Sequence, residues 1–292
     1  MRQSSNLLQA AKQLEAATSA MKVKPSEKLF QFQRNQAIAQ HHDAITGTAK
    51  QHVSNDYVQR LDQSMQAGFE IIGDSLAALF GWGQQQQQHC PLLNISACHV
   101  TESASSFIVT LYNPLSSGIS HTVRLPVIND QPRSITTDGD QAVPFQLTPI
   151  ADAVLDLPGR HSAARFELIF LAVDVPPLGA RSYHVAIDTS PRPSVESDDD
   201  NLLVVAIPAV EDVVVATDVW HLRFDRRTGL LVEVFNATAK FAVEQNLLYY
   251  PAMSGNNSRF ELRASGAYIF RPNGTAIPTG KISQLVINKG DQ

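Results

Sequence analysis

The first 80 residues have the hydrophobic pattern of helices. A first helix is predicted by apolar side chains at helical spacing, namely Leu7, Ala11, Leu14 and Met21. A second is expected to begin near Ser26 and to run through Phe30, Ala37 and Ile38. A third follows Thr48 and Gln51, which are spaced as in a capping box, and ends at residues 81–83. Its apolar stripe consists of Val53, Tyr57, Leu61, Met65, Ile72, Leu76 and Leu79.

From about residue 95 the apolar period changes to that of strands. Apolar residues alternate with other residues in short runs, among them 107–111, 123–127 and 183–187. Two further runs lie on either side of the turn-forming sequence Asp225 to Gly229, which predicts a hairpin. Many short strands, with prolines concentrated in the same region, predict an antiparallel β-sandwich.

The predicted fold class is therefore α+β with segregated domains. Helices with short connections predict an antiparallel three-helix bundle at 1–83, followed by a linker and cysteine loop at 84–100. A β-sandwich is expected at 101–190 and the start of a second, truncated β domain at 201–292. The acidic residues 198–200 lie between the two β parts, where a solvated loop is more expected than a calcium site.

Composition excludes several classes of protein. Of the 292 residues, 43% are hydrophobic and 17% are charged, a balance that supports a folded core and excludes wholesale disorder. The formal net charge of -5 argues against a general nucleic-acid binder, which would be basic. No apolar run reaches the length of about 18 residues that a membrane span requires.

Cysteines and glycosylation sequons bear on the compartment. Cys90 and Cys98 are the only cysteines, and no zinc-finger spacing accompanies them. Sequons of the form Asn-x-Ser/Thr begin at Asn94, Asn236, Asn256 and Asn273. One of the four lies between the cysteines, which favours a secreted glycoprotein with one small disulfide. Because the residues after Met1 lack the pattern of a signal peptide, either the protein is cytosolic or the sequence lacks its beginning.

Candidate chemistry is concentrated in His41, His42 and Asp43, at the end of the second predicted helix. Adjacent residues of a helix point about 100° apart, so at most one of the two histidines is expected to face a given centre. An imidazole beside a carboxylate suits a metal site, but zinc needs three or four ligands and no second cluster lies near in sequence. On spacing alone, histidines that cap or pack at a helix end are the more common case.

Tyr268 is a weaker candidate. It follows Ser265, Gly266 and Ala267, small residues that let a ligand approach the backbone. A β-bulge with a packed tyrosine explains the same pattern, and on pattern alone it is the preferred interpretation.

One long motif resembles a known family. Residues 38–53, which include His41-His42-Asp43-Ala44-Ile45-Thr46-Gly47-Thr48, resemble the central-domain signature of glycoside hydrolase family 38, the zinc-dependent retaining α-mannosidases, and its lysosomal branch in particular. Residues 7–16 resemble the first helix of that domain. The resemblance continues in the disulfide loop of the lysosomal branch, with its sequon, and in the β-rich part at 221–230 and 264–273.

The resemblance implies a zinc site that this chain shares with a catalytic domain. Family members cleave terminal α-mannose from N-glycan oligosaccharides, with one Zn²⁺ in each active site. By the match, His42 is a zinc ligand, whereas Asp43 and Tyr268 contact the sugar and His41 lies beside the ligands without binding the ion. A zinc ion bound to two sugar hydroxyls distorts the ring and stabilises the oxocarbenium-like transition state of a retaining hydrolase. The resemblance also implies a lysosomal or secretory location.

The chain also departs from the family pattern. The catalytic α/β domain, with its nucleophile and the other three zinc ligands, is absent, and so is much of the distal β region. We therefore expect an internal piece of a longer mannosidase, which packs on the missing domain and alone neither hydrolyses mannosides nor binds zinc well. The alternatives are a non-catalytic carbohydrate-binding or structural β-sandwich module and, against the sequons, a cytosolic structural protein.

Overall fold

The computed structural model forms two compact units, Met1–Pro191 and Arg192–Gln292. It describes residues 1–18, 25–82, 87–130, 133–187, 202–280 and 282–288. Helices and antiparallel sheets are both present, which confirms the α+β class. Met21 and the acidic residues 198–200 lie outside the described residues.

Helices make up the start of the first unit. In chain order the α-helices are α1 (Arg2–Thr18), α2 (Glu27–Ile38), α3 (His42–Ile45), α4 (Gln51–Phe80), α5 (His99–Ser103) and α6 (Asp152–Leu155). The start of α2 is fixed by Ser26, whose hydroxyl oxygen accepts a hydrogen bond from the Leu29 amide at 3.2 Å. α4 ends at Gly81, which takes the left-handed conformation and donates its amide to the Ala77 carbonyl. No helix in the described ranges has both the length and the apolar character of a membrane span.

The predicted capping box of the third helix is wrong. α4 begins at Gln51 after Lys50, and no side chain caps it. The hydroxyl of Thr48 donates instead to the carboxylate of Asp43. Thr48 lies two residues before the capping position, so its side chain is able to hydrogen-bond to the preceding turn.

α1, α2 and α4 pack against one another. Ala11, Leu29 and Ile71, one from each helix, form a buried cluster. The buried face of α4 differs in part from the predicted stripe, because Leu79 is 50% exposed. The face also contains small residues, and its buried members are Leu61, Ser64, Gly68, Ile71, Ser75 and Leu76. Small side chains allow a close approach between helices that a pattern of large apolar residues does not reveal.

Two antiparallel three-stranded sheets follow in the first unit. The strands are β1 (Ser106–Asn113), β2 (Ile119–Val127), β3 (Arg133–Thr137), β4 (Phe145–Pro149), β5 (Phe166–Val175) and β6 (Gly179–Ile187). Their orders are β1-β6-β3 and β2-β5-β4. Pro126 of β2 is fully buried and interrupts the alternation of burial on that strand, but the alternating residues Val123, Leu125 and Val127 are buried as predicted. With Tyr183 and Val185 of β6 they belong to one apolar cluster to which both sheets contribute.

The described strands of the second unit form a four-stranded sheet and two ribbons. They are β7 (Leu202–Ala206), β8 (Val213–Ala216), β9 (His221–Phe224), β10 (Leu231–Phe235), β11 (Lys240–Ala242), β12 (Leu248–Tyr249), β13 (Ile277–Pro278) and β14 (Gln284–Asn288). The sheet order is β11-β10-β9-β8, and the ribbons are β12-β13 and β14-β7. The predicted hairpin is present as β9 and β10. Its turn is held by Asp225, whose carboxylate accepts hydrogen bonds from the amides of Arg227 and Thr228.

Candidate metal and substrate site

The site around His41 is built at a break between two helices. α2 ends at Ile38, and the amides of Gln40 and His41 close the last turn on the carbonyls of Ala37 and Ile38. His41 then takes an extended conformation, with φ -51° and ψ 138°, as the residue that precedes α3. The following two residues, His42 and Asp43, form the first turn of that short helix.

This break brings both histidines to the same carboxylate. Oδ2 of Asp43 lies 3.4 Å from Nε2 of His41 and 3.7 Å from Nε2 of His42. The two imidazole rings lie side by side, with centroids 4.3 Å apart. The expectation that only one histidine can face a given centre is therefore wrong here. It assumed a continuous helix, whereas the backbone of His41 is extended and turns its side chain toward that of its neighbour.

Hydroxyl groups hold the Asp43 carboxylate in place. The Thr48 hydroxyl donates to Oδ1 of Asp43 at 2.8 Å and lies 2.8 Å from the Thr46 hydroxyl, which donates in turn to the His42 carbonyl. The hydrogen bond from Thr48, followed by the nearby imidazoles of His42 and His41, lowers the pKa of Asp43 below its ordinary value. This role of Thr46 and Thr48 was not predicted from the sequence. The signal that could have shown it is two threonines three and five residues after Asp43.

The donor atoms have a spacing that fits zinc. Tetrahedral ligands at 2.0–2.1 Å from Zn²⁺ lie about 3.4 Å from each other. The two nitrogen-to-carboxylate distances are close to that value, and the candidate ligand atoms of all three residues lie within 4.8 Å of one another. Within the described ranges, no further His, Cys, Asp or Glu joins this cluster. The chain thus brings three candidate ligand atoms together, and a four-coordinate site needs further ligands from outside this cluster.

The cluster is open to solvent. The side chain of His42 is 84% exposed, and those of His41 and Asp43 are 46% and 47% exposed. Exposed imidazoles are free to turn toward an approaching ion or sugar. The alternative was that both histidines cap or pack at a helix end. His41 precedes α3 but its side chain makes no capping hydrogen bond, and side chains this accessible are not packed.

Tyr268 lies in the second unit, in a loop closed by its neighbours. The Gly266 amide donates to the Ile269 carbonyl, and the Ser265 hydroxyl donates to the Arg271 carbonyl at 2.7 Å. Tyr268 is 58% exposed and lies outside the strands. The preferred pattern-based interpretation, a β-bulge with a packed tyrosine, is therefore wrong. The ring is accessible because the closed loop carries it at a bend.

The cysteines and sequons are accounted for as follows. Cys90 and Cys98 form a disulfide. The side chains of Asn94, Asn256 and Asn273 are exposed and that of Asn236 is half-buried. In the sequons at Asn236 and Asn256, the carboxamide oxygen accepts a hydrogen bond from the hydroxyl two residues later.

Comparison with known proteins agrees with the motif around His42. Residues 1–79 match the family model of the α-mannosidase middle domain. The chain is 36% identical over 283 residues to the lysosomal α-mannosidase of Bos taurus, covering 93% of this chain and 25% of that protein. It is 34% identical to a probable α-mannosidase of Arabidopsis thaliana, covering 86% of this chain and 26% of the plant protein.

Residues 1–79 belong to the α-mannosidase middle-domain family. The resemblance inferred from residues 38–53 is thereby confirmed. The chain spans about a quarter of the length of the curated relatives that it matches. It also overlaps a family 38 glycosyl hydrolase from Enterococcus faecalis with a TM-score of 0.44 and 12% identity, covering 96% of this chain and 33% of that one.

Proposed function

We propose that this chain is the middle part of a zinc-dependent, retaining α-mannosidase that removes terminal α-mannose from N-glycan oligosaccharides. In this proposal His42 binds the zinc ion, Asp43 hydrogen-bonds sugar hydroxyls and Tyr268 contacts the bound mannose. His41 lies beside the ligands. The observation that carries the proposal is the convergence of His41, His42 and Asp43 within a chain of this family.

The chemistry of the three residues supports these roles. Zinc favours imidazole and carboxylate ligands, and a bound ion would act as a Lewis acid toward sugar hydroxyls. The carboxylate of Asp43 is held by Thr48 and kept ionised, which suits an acceptor of hydrogen bonds from hydroxyl groups. A planar aromatic side chain such as that of Tyr268 suits the apolar face of a sugar ring.

The finer architecture belongs to the same proposal. α1, α2 and α4 form a three-helix bundle at 1–83, and the loop at 84–100 leads to a β-sandwich at 101–190. Residues 201–292 begin a second β domain. The bundle presents the His41–Asp43 cluster to a catalytic α/β domain, which supplies the nucleophile, the acid and the other zinc ligands. The disulfide and the exposed sequons are in keeping with a lysosomal or secretory location.

The first step of the test is to extend the cDNA in both directions from the segment that encodes this chain. We expect an upstream open reading frame that encodes a His-x-Asp motif and a signal peptide. The encoded protein is then prepared with His42→Ala, Asp43→Asn or the matched control His52→Ala, which changes an exposed histidine of α4. Bound zinc per protein and hydrolysis of an aryl α-mannoside are measured for each.

The variants separate the proposed roles. His42→Ala should lose both zinc and activity, Asp43→Asn should lose activity while it keeps zinc, and His52→Ala should keep both. The isolated 292-residue chain should be inactive. Zinc retention by His42→Ala, mannoside hydrolysis by the isolated chain, or a transcript that encodes only residues 1–292 would each contradict the proposal. In the last case the chain would next be tested as a glycan-binding module.

A further inference from the structure

The sequon at Asn94 differs from the others because the hydroxyl that defines it is buried. Asn94 is exposed on the 3₁₀ turn Leu93–Ile95. Ser96, the third residue of this sequon, is only 4% exposed, and its hydroxyl donates to Oε1 of Glu167 at 2.7 Å. The hydroxyl is therefore engaged inside the protein, while the asparagine that it specifies points outward.

The backbone of this sequon is closed into a tight loop. Ser96 takes the left-handed conformation, with φ 52°. The Ala97 amide donates to the Leu92 carbonyl at 3.2 Å, and the same two residues form an antiparallel bridge. The Cys90–Cys98 disulfide joins the ends of the loop. An extended conformation of the sequon is incompatible with these contacts.

Two charged side chains from outside the loop hold it against the β part. The guanidinium of Arg160 donates to the carbonyls of Ile95 and Ser96 at 2.9 and 2.8 Å. The carboxylate of Glu102 accepts a hydrogen bond from the Cys98 amide at 2.8 Å. The chain on both sides of Ser96 is thus fixed, by Arg160 from a distant segment and by Glu102 four residues after Cys98.

The sequons at Asn236 and Asn256 lack such cover. Their hydroxyl-bearing residues, Thr238 and Ser258, are exposed and bond within the sequon itself. No partner from a distant segment takes either hydroxyl in the described contacts. An enzyme that reads both the carboxamide and the hydroxyl can reach these two sites in the folded chain.

We propose that Asn94 accepts an N-glycan only before the Cys90–Cys98 loop closes and docks, so that folding itself controls this modification site. The sequon rule requires a Ser or Thr hydroxyl, which means that the transferring enzyme must contact that hydroxyl. In the folded chain the Ser96 hydroxyl is buried, so the enzyme cannot contact it. In the transfer, Nδ2 of Asn94 forms a bond to the anomeric carbon of a lipid-pyrophosphate-linked oligosaccharide. The bond from that carbon to the pyrophosphate oxygen breaks, the lipid pyrophosphate leaves with the electron pair, and the amide proton is released to solvent.

Glycosylation of Asn94 is separate from the proposed hydrolase activity and depends on neither zinc nor catalysis. It is tested with the full chain, made without glycans, incubated with purified oligosaccharyltransferase and a lipid-pyrophosphate-linked oligosaccharide. The folded chain with its disulfide is compared with the reduced, alkylated and unfolded chain, and with a synthetic peptide of residues 91–97. Site occupancy is measured by mass spectrometry after enzymatic release of the glycan in heavy-oxygen water.

We expect Asn94 to be modified in the peptide and in the reduced chain. In the folded chain its occupancy should be at least about tenfold lower, since modification there requires local opening of the docked loop. Asn236 and Asn256 should be modified in the folded chain as well. A Cys90→Ser variant, which removes the covalent closure, should raise the occupancy of Asn94 and leave that of Asn256 unchanged.

Two results would overturn the proposal. The first is equal occupancy of Asn94 in the folded, oxidised chain and in the reduced chain, which would show that the docked loop is no barrier. The second is a peptide that is glycosylated while Asn94 of the reduced, unfolded chain is not. A block that persists in the unfolded chain cannot be caused by the fold. If Cys90→Ser unfolds the chain, the comparison between the oxidised and reduced chains still decides the matter.

Discussion

Gly68→Ala tests whether the helices that carry the His41–Asp43 site are packed as closely as the structure indicates. Gly68 faces α2, and a Cβ atom there would lie 2.5 Å from Cε1 of Phe32 and 3.2 Å from Cδ2 of Leu7. Ordinary contact between carbon atoms is about 3.5–4.0 Å, so the Phe32 ring must move by roughly 1 Å. Phe32 is fully buried, which leaves little room for that shift.

The expected magnitude follows from two opposing effects. Overpacking of a buried site costs about 1–3 kcal/mol of unfolding free energy. Replacement of glycine by alanine within a helix raises the unfolding free energy by about 1 kcal/mol. Gly73→Ala is the matched control, because it lies on the same helix and its Cβ would meet Gln87 at 3.0 Å, a residue at the protein surface that is able to move aside. Gly68→Ala should therefore be less stable than Gly73→Ala by about 1–3 kcal/mol.

The assay is unfolding in urea, monitored by far-ultraviolet circular dichroism, which measures the helix content. The same substitution is then made together with Phe32→Leu, which removes the part of the ring that Gly68→Ala would strike. In the Phe32→Leu background, Gly68→Ala should lower the unfolding free energy by less than it does in the unsubstituted chain. The difference is the coupling free energy between the two positions, expected at about 0.5–3 kcal/mol. Equal stability of Gly68→Ala and Gly73→Ala, with no coupling to Phe32, would refute the close packing.

Three further predictions concern single side chains. Thr48→Val should raise the pKa of Asp43 toward its ordinary value, as measured by carboxylate NMR titration, and an unchanged pKa would show that Thr48 does not hold the carboxylate. Burial raises the pKa of Glu102, but hydrogen bonds led by that from the Cys98 amide outweigh it and lower the pKa. The charged form therefore stabilises the fold above the unfolded pKa, so Glu102→Gln should cost at most about 1 kcal/mol at neutral pH and nothing in acid, and a loss that persists in acid would contradict this account. Ser26→Ala should reduce the unfolding free energy by about 1 kcal/mol, and Ser26→Asn, which keeps a capping oxygen, should restore most of it in the same urea assay.

Local chemistry explains which parts of the fold the sequence could predict. The start of α2 at Ser26, the end of α4 at Gly81 and the turn held by Asp225 each depend on contacts within a few residues. Burial of Val123, Leu125 and Val127 on β2 follows their alternation in the sequence, whereas Pro126 is buried against that pattern. The buried face of α4 was partly missed, because residues such as Gly68 are buried for their small size and not for apolar character.

The candidate site was harder to predict because it depends on where helices stop. The identity of the residues was evident from the motif, but the spacing argument assumed that His41 and His42 belong to one helix. The break between α2 and α3 arises from an extended residue at His41, and no proline or glycine marks it in the sequence. The exposure of Tyr268 likewise depends on a closed loop whose hydrogen bonds join residues six positions apart.

The turn after α3 explains how an exposed cluster keeps its arrangement without help from buried neighbours. Gly47 has φ 70°, a conformation that favours glycine, and a Cβ there would meet nothing within 4 Å. Glycine is therefore needed at this position for its left-handed backbone conformation and not because a side chain would clash. That conformation brings Thr48 back to the Asp43 carboxylate. The carboxylate is thus oriented by the chain itself, while the imidazoles remain exposed. If an ion binds to His42 as proposed, the oriented Asp43 carboxylate beside it would accept hydrogen bonds from sugar hydroxyls, and the exposed imidazole would be able to turn toward the ligands that a partner surface supplies.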